Sequence, residues 1–178
     1  MAEQKILGYD YSMPYADGTD NVTTALRELL NSYPELSASD EITFSMLDTD
    51  SGKAMFPTSS VAILREIEDV TGHVTQTCIY PFIVLYRTSG LTENRKAAVK
   101  EWLDNLGRWI EKQEVNGNKL ESYPVLTGNR EIKKIARTSQ SYLYNTNEDK
   151  VEDWAISIQA TYTNEFDRDE LTGYPKRG

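Results

Sequence analysis

The sequence predicts an α+β fold: a mainly antiparallel sheet of about five strands with two main helices packed on one face. Three observations predict it. Val22, Leu26, Leu29, Leu30 and Tyr33 recur at helical spacing, and Ala98, Val99, Trp102, Leu103, Leu106, Trp109 and Ile110 repeat that stripe in a longer stretch. Residues 74–88 and 151–165 instead alternate with period two, the mark of strands. The chain has 178 residues, 39% of them hydrophobic, which suits one domain with a sizeable core.

The elements follow in order. Residues 1–19 read as an arm, in which Tyr9, Tyr11, Met13 and Tyr15 alternate with polar or small residues and Pro14 and Asp17-Gly18 break regular structure. It serves either as a docking strand or as a loop folded back on its own subunit. A single domain spans 20–168, and 169–178 is a polar tail. Asp20 or Asn21 can cap a first helix over 21–33, which Pro34 cannot continue. Ile42, Phe44 and Met46 alternate as a half-buried strand, and 48–53 form a polar turn containing Gly52. Over 61–70 a strand is preferred to a short helix, with Val61, Ile63, Arg65, Ile67 and Asp69 on one side.

Thr71-Gly72-His73 then turns into 74–88, the strongest strand. Thr75, Thr77, Ile79, Ile83 and Leu85 share one face of it, and Cys78, Tyr80, Phe82, Val84 and Tyr86 the other. A centre that is apolar on both faces belongs in the middle of a sheet or against a neighbouring subunit. Pro81 cannot donate a ladder hydrogen bond, so a bulge or an edge is expected there. Thr92 caps the second helix, with Leu91 as a staple and Glu93, Lys96, Lys100, Asp104, Arg108 and Lys112 on its wet face. A loop over 115–128, with Asn116-Gly117-Asn118 and Tyr123-Pro124 as breakers, leads to two long strands, 130–145 and 151–165, joined by a hairpin turn over 145–150. In the second, Trp154, Ile156, Ile158, Ala160 and Tyr162 face the core, with Ala155, Ser157, Gln159, Thr161 and Thr163 opposite. No internal repeat or second domain shows in the sequence.

The composition argues against several functions. A net charge of −9 disfavours binding nucleic acid through its phosphates, although an acidic wall would let DNA pass without sticking. Solubility is the simpler reading of that charge. A single cysteine, Cys78, lies in an apolar run and reads as a small buried hydrophobe. The single histidine, His73, reads as a solvated turn residue, and a Cys78–His73 dyad would be a coincidence of folding. There is no Gly-x-Ser-x-Gly elbow and neither glycine-rich phosphate loop. Asp48-Thr49-Asp50-Ser51-Gly52 begins like a calcium loop, but Ser59 stands where a bidentate Glu is needed. Arg130, Lys133, Lys134 and Arg137 form the one basic cluster; strand alternation would put Arg130 and Lys134 on one face and Lys133 and Arg137 on the other. No catalytic, cofactor-binding or metal-ligating residue emerges. Met1-Ala2-Glu3-Gln4-Lys5 lacks the pattern of a signal peptide and no run is long enough to cross a membrane, so synthesis in the cytoplasm is expected.

Four stretches carry a resemblance over about 22–166: the opening helix and strand through Ile42-Thr43-Phe44; Tyr80-Pro81-Phe82-Ile83-Val84-Leu85-Tyr86-Arg87; Trp102-Leu103 and Trp109-Ile110 with Asn116-Gly117-Asn118; and Glu152-Asp153-Trp154-Ala155-Ile156-Ser157-Ile158 with Tyr162. In order and spacing they resemble the tail terminator, or tail completion, proteins of long-tailed phages and prophages of Gram-positive bacteria, relatives of which are labelled minor capsid proteins. The resemblance implies a structural, non-enzymatic subunit without cofactor or metal. It implies a homo-oligomer, a hexameric ring that caps the tail tube protein, ends tube growth and joins the head–tail connector protein. Such a ring would form in the host cytoplasm and end in the neck of the virion, with DNA passing through its lumen and no membrane involved. The expected edge for pairing between subunits is the closing hairpin 130–165, which is long, alternating and poor in proline. Two other readings stay open: a tail tube or other neck adaptor subunit, and a small bacterial binding module or regulator outside phages. An enzyme is the weakest reading.

Overall fold

The structure, a computed structural model, describes residues 5–6, 9–10, 19–59, 61–90, 92–115, 123–126 and 128–169. Nearly all of the arm, Leu91, Asn116-Gly117-Asn118 and most of the tail therefore lie outside the described residues, as does the proposed staple. Within the arm, β1 (Lys5–Ile6) and β2 (Tyr9–Asp10) pair antiparallel with each other.

The fold is α+β, built on a seven-stranded sheet. Its spine is two 17-residue strands, β6 (His73–Ser89) and β9 (Val151–Asp167), paired antiparallel without a slip from His73↔Asp167 to Ser89↔Val151. Along the far side of β6 run β4 (Gly52–Pro57), then β5 (Ala62–Glu68). Along the far side of β9 run β7 (Arg130–Arg137), then β8 (Tyr142–Thr146). Outside β4 lies β3 (Ile42–Phe44), the one parallel pairing. The sheet is therefore mixed and wider than expected. A parallel return normally needs a long crossover. It is short in this sheet because β3 has three residues, and Ser45 (φ 52°) and Gly52 (φ 121°) take the sharp bends.

Helix α1 (Thr19–Asn31) starts two residues earlier than expected, so Asp20 and Asn21 fall inside its first turn. Helix α2 (Glu93–Val115) begins after Thr92, whose carbonyl accepts the Lys96 N–H at 3.0 Å. Both helices cover one face of the sheet. Leu26 and Leu30 of α1, and Val99, Leu103, Leu106 and Ile110 of α2, close over Tyr80, Phe82, Val84, Ile156, Ile158 and Tyr162. Tyr33, Trp102, Trp109 and Tyr86 stack edge to face at the rim, with ring centroids 5.2–5.4 Å apart. Lys53 lies over the Tyr86 ring at 4.3 Å and reaches the Asp40 carboxylate at 2.7 Å, which holds Asp40 below its usual pKa.

Other expectations are corrected. The polar turn at 48–53 runs into strand β4, whose Lys53, Ala54 and Met55 are buried. Met46 lies outside β3 and is exposed. Of the helical stripe, Ala98 is exposed, whereas Asp104 of the wet face is buried. Burial disfavours the Asp104 carboxylate, but hydrogen bonds from Lys100 (2.8 Å) and the Ser141 N–H (2.9 Å) outweigh this and lower its pKa. The segment 130–145 is two strands rather than one. A bulge at Leu64 puts Ile63 opposite Cys78 and Arg65 opposite Thr77, so those two residues face opposite ways. A bulge after Ile132 likewise separates Arg130 from Lys134. Ala155 is buried on the second face of β9 beside Ile83 and Leu85.

Pro81 forms no bulge; it lies at a local edge, the gap between β4 and β5 on one side of β6. It pairs in register with Gln159, and its carbonyl accepts the Thr58 N–H at 3.1 Å. The nitrogen and carbonyl of one strand residue point the same way, so the ring nitrogen faces the break between β4 and β5, where no donor is required.

A repeat that the sequence hides appears in this layout. After its helix each half runs inner flanking strand, break, outer strand, turn, long strand (β4, β5, β6 and β7, β8, β9), with β3 an addition to the first half. The β5–β6 turn has Asp69 N–H to His73 O at 2.9 Å and Gly72 N–H to Asp69 O at 3.1 Å; the β8–β9 turn has Asn147 N–H to Val151 O at 3.0 Å and Lys150 N–H to Asn147 O at 3.1 Å. Gly72 (φ 80°) and Lys150 (φ 59°) hold the matching left-handed position. The strand pairings have a two-fold layout about the Pro81–Gln159 pair, with β4 matching β7 and β5 matching β8.

Gly107 lets α2 approach the sheet: a Cβ there would meet Ile156 Cδ1 at 2.6 Å and Arg137 Cδ at 2.7 Å. Gly107→Leu is expected to lose on the order of 2 kcal/mol or more by overpacking. Gly107→Ala loses less, because a gain of about 1 kcal/mol in helix propensity offsets the clash. Urea unfolding at unchanged slope measures both.

Candidate functional site

The residues considered for chemistry do not converge. His73 and Cys78 lie five residues apart on β6, on opposite faces, which separates them by roughly 16 Å. Cys78 is buried in the core. His73 binds the Asp167 carboxylate through Nδ1 at 2.8 Å, with Glu165 at 3.8 Å, so it is a paired residue at the base of a hairpin. Strand β4 carries the chain roughly 20 Å away from the 48–52 turn before Ser59, so that segment cannot close as a calcium loop. Among the described residues no group of three or more His, Cys, Asp or Glu is arranged to hold a metal ion. The basic cluster is dispersed: Arg137 binds Glu111 at 3.0 Å, and Lys133 binds Glu131. No helix among the described residues is long and apolar enough to cross a membrane.

The face away from the helices carries a shallow depression of about 560 Å³. Ile83 and Leu85 floor it, and Phe56, Tyr144 and the Arg87–Asp153 pair wall it. That pair is bidentate, at 2.7 and 2.9 Å, and each charge is satisfied by the other. It offers no free acid or base.

The sheet edges are the unusual feature. A buried or paired edge must satisfy its outward N–H and C=O groups, and natural sheets block exposed ones. Two of the four edges are blocked. On β3, Asn31 accepts the Ile42 N–H at 2.8 Å and donates to the Ile42 carbonyl at 3.0 Å. On β7, Tyr123 Oη accepts the Ile135 N–H at 3.3 Å, and Glu111 accepts the Arg137 N–H at 3.2 Å.

The other two edges are open among the described residues. Asp69 N–H bonds inward to His73, so by alternation Glu66 and Glu68 present their backbone groups outward from β5, and no described residue caps them. On β8, capping stops at Ser141, whose N–H goes to Asp104; Asn147 bonds inward, so Thr146 points outward. Both strands also expose apolar side chains. Ile63, Leu64 and Ile67 are 53%, 62% and 47% exposed, and Tyr142, Leu143 and Tyr144 are 38%, 47% and 55%. Neither strand carries an edge-blocking proline.

The sequence therefore located one open edge in part. Strand β8 lies within the hairpin 130–165, but β9 is paired on both sides and β7 is blocked. The open edge of β5 was not singled out. The polar run Thr138-Ser139-Gln140-Ser141 was the available sign that β7 and β8 are separate. The chain matches no protein-family model and no curated protein.

His73 makes the β5–β6 junction pH-sensitive. Its hydrogen bond to Asp167 raises its pKa above 6.5, against a smaller opposing effect of desolvation. A raised folded pKa stabilises below the unfolded value, and that contribution is lost as pH rises through the folded pKa. Asp167→Asn is expected to lower the His73 titration midpoint followed by NMR. It should also flatten the decline of Tm above pH 6.5 seen in the parent chain.

Proposed function

We propose that this protein is a structural subunit that assembles with copies of itself through its open strand edges. The proposed product is the ring that the resemblance to phage tail terminator proteins implies: a cap on the tail tube that ends polymerisation and presents the surface joining the head. The observation that carries the reading is a pair of edges, β5 and β8, on opposite sides of one sheet, which no described residue caps and which expose apolar side chains. Ring assembly needs two different patches on each copy, so that each subunit offers one and receives the other. Strand addition uses backbone groups for affinity and flanking side chains for selectivity. A net charge of −9 suits a lumen that DNA traverses without binding.

Lysine is the residue that natural edges use to prevent pairing. Ile67→Lys combined with Leu143→Lys is expected to convert the assembled protein to monomer by sedimentation velocity. Its Tm should stay within a few degrees, because both sites are exposed. Electron microscopy of the parent protein is expected to show single rings. Tubes of indefinite length would instead identify a tube subunit, and a monomer at micromolar concentration with tube protein present would overturn the reading.

A further inference from the structure

We infer that the occupant of the β5 edge is the β8 edge of the next copy, joined antiparallel and head to tail. The inference rests on the self-assembly reading above and goes beyond it by naming which edge meets which. Strand direction is the first argument. Across β5, β6, β9 and β8 the chain alternates direction at every step. A second copy in the same orientation therefore places its β5 antiparallel to the first copy's β8, and the alternation continues through the junction. Like-to-like contacts, β5 on β5 or β8 on β8, would instead need a two-fold rotation and would stop at a dimer.

Charge is the second argument. β5 and β8 hold matching places in the sheet layout, so their side chains must choose between partners. Glu66 and Glu68 pair with Gln76 and Val74, which puts them on the helix face. Arg168 reaches both, at 3.1 and 3.3 Å, and Gln76 donates to Glu66 at 2.6 Å. Two β5 strands together would set these acids against their own copies, an unfavourable cross-strand arrangement. Beside β8 the same face carries the first turns of α2, with two ion pairs: Lys96 reaches Glu152, and Lys100, whose carbonyl accepts the Ser141 hydroxyl at 3.1 Å, reaches Asp104 at 2.8 Å. The acids of β5 thus arrive beside neutralised ion pairs instead of beside copies of themselves.

The two edges lie at opposite ends of the sheet, roughly 33 Å apart along the strands. A ring accommodates that stagger by tilting its strands against the ring axis, as closed sheets do.

The test uses the full chain in two single variants, Glu66→Cys and Leu143→Cys, treated with a short bismaleimide; the parent chain, whose Cys78 is buried, is the control. Far-UV circular dichroism confirms that each variant folds. Mixing the two is expected to give at least tenfold more cross-linked dimer than either variant alone. Equal cross-linking of Glu66→Cys alone would overturn the inference in favour of like-to-like pairing. An oligomer by sedimentation that does not cross-link in the mixture would overturn the β5–β8 contact while leaving self-assembly standing. A monomer in every sample would overturn the self-assembly reading itself.

Discussion

The unbroken pairing of β6 with β9 is the constraint on which the rest of the structure depends. Seventeen consecutive residue pairs lock the two halves of the chain in one register. A slip of one residue would turn Tyr80, Phe82, Ile156 and Ile158 away from the helices and bring Ile83 and Ser157 beneath them. The ladder leaves two long flanks, and neither is filled by one strand. Opposite Pro81 a continuous neighbour would find no donor, and there the chain leaves β4, crosses a break and resumes as β5. The matching break between β7 and β8 completes the two-fold layout. Each half therefore contributes a short outer strand, β5 or β8, that no described residue caps.

Much of this was legible in the sequence, and the illegible parts share a cause. The faces of β6 and β9 follow from alternation, because strands buried by packing on one side keep strict period two. The core stripe of α2 follows from 3.6-residue spacing. Single-residue irregularities defeated the pattern elsewhere. The bulges at Leu64 and after Ile132 each reverse the facing of every residue beyond them, and nothing in either stretch announces a bulge by composition. Strand β4 was hidden because Lys53 reads as a turn residue, yet its ammonium finds Asp40 and two aromatic rings at the rim. Asp104 reads as solvated for the same reason, although it caps Ser141. In both cases a charged side chain enters the structure because a distant segment supplies its partner, and local sequence does not carry that partner.

The open edges were half legible. A long proline-poor hairpin pointed toward β8, but whether an edge is free depends on caps from other segments. Asn31 and Tyr123 block β3 and β7 from 11 and 12 residues away, while β5 and β8 have no equivalent among the described residues. An edge that exposes isoleucine, leucine and tyrosine beside bare backbone groups is an aggregation hazard unless it has a partner. That hazard is the physical basis for reading the molecule as a component of an assembly, and the antiparallel order across the sheet makes another copy of itself a suitable partner.

Hydrogen exchange at the outward amides of Glu66, Glu68 and Thr146, followed as concentration rises, tests the central claim most directly. These amides are expected to exchange at nearly unprotected rates in dilute monomer and to slow sharply on assembly, while Ile42 and Ile135, already capped, change little. Assembly that leaves the three amides exchanging freely would contradict the account.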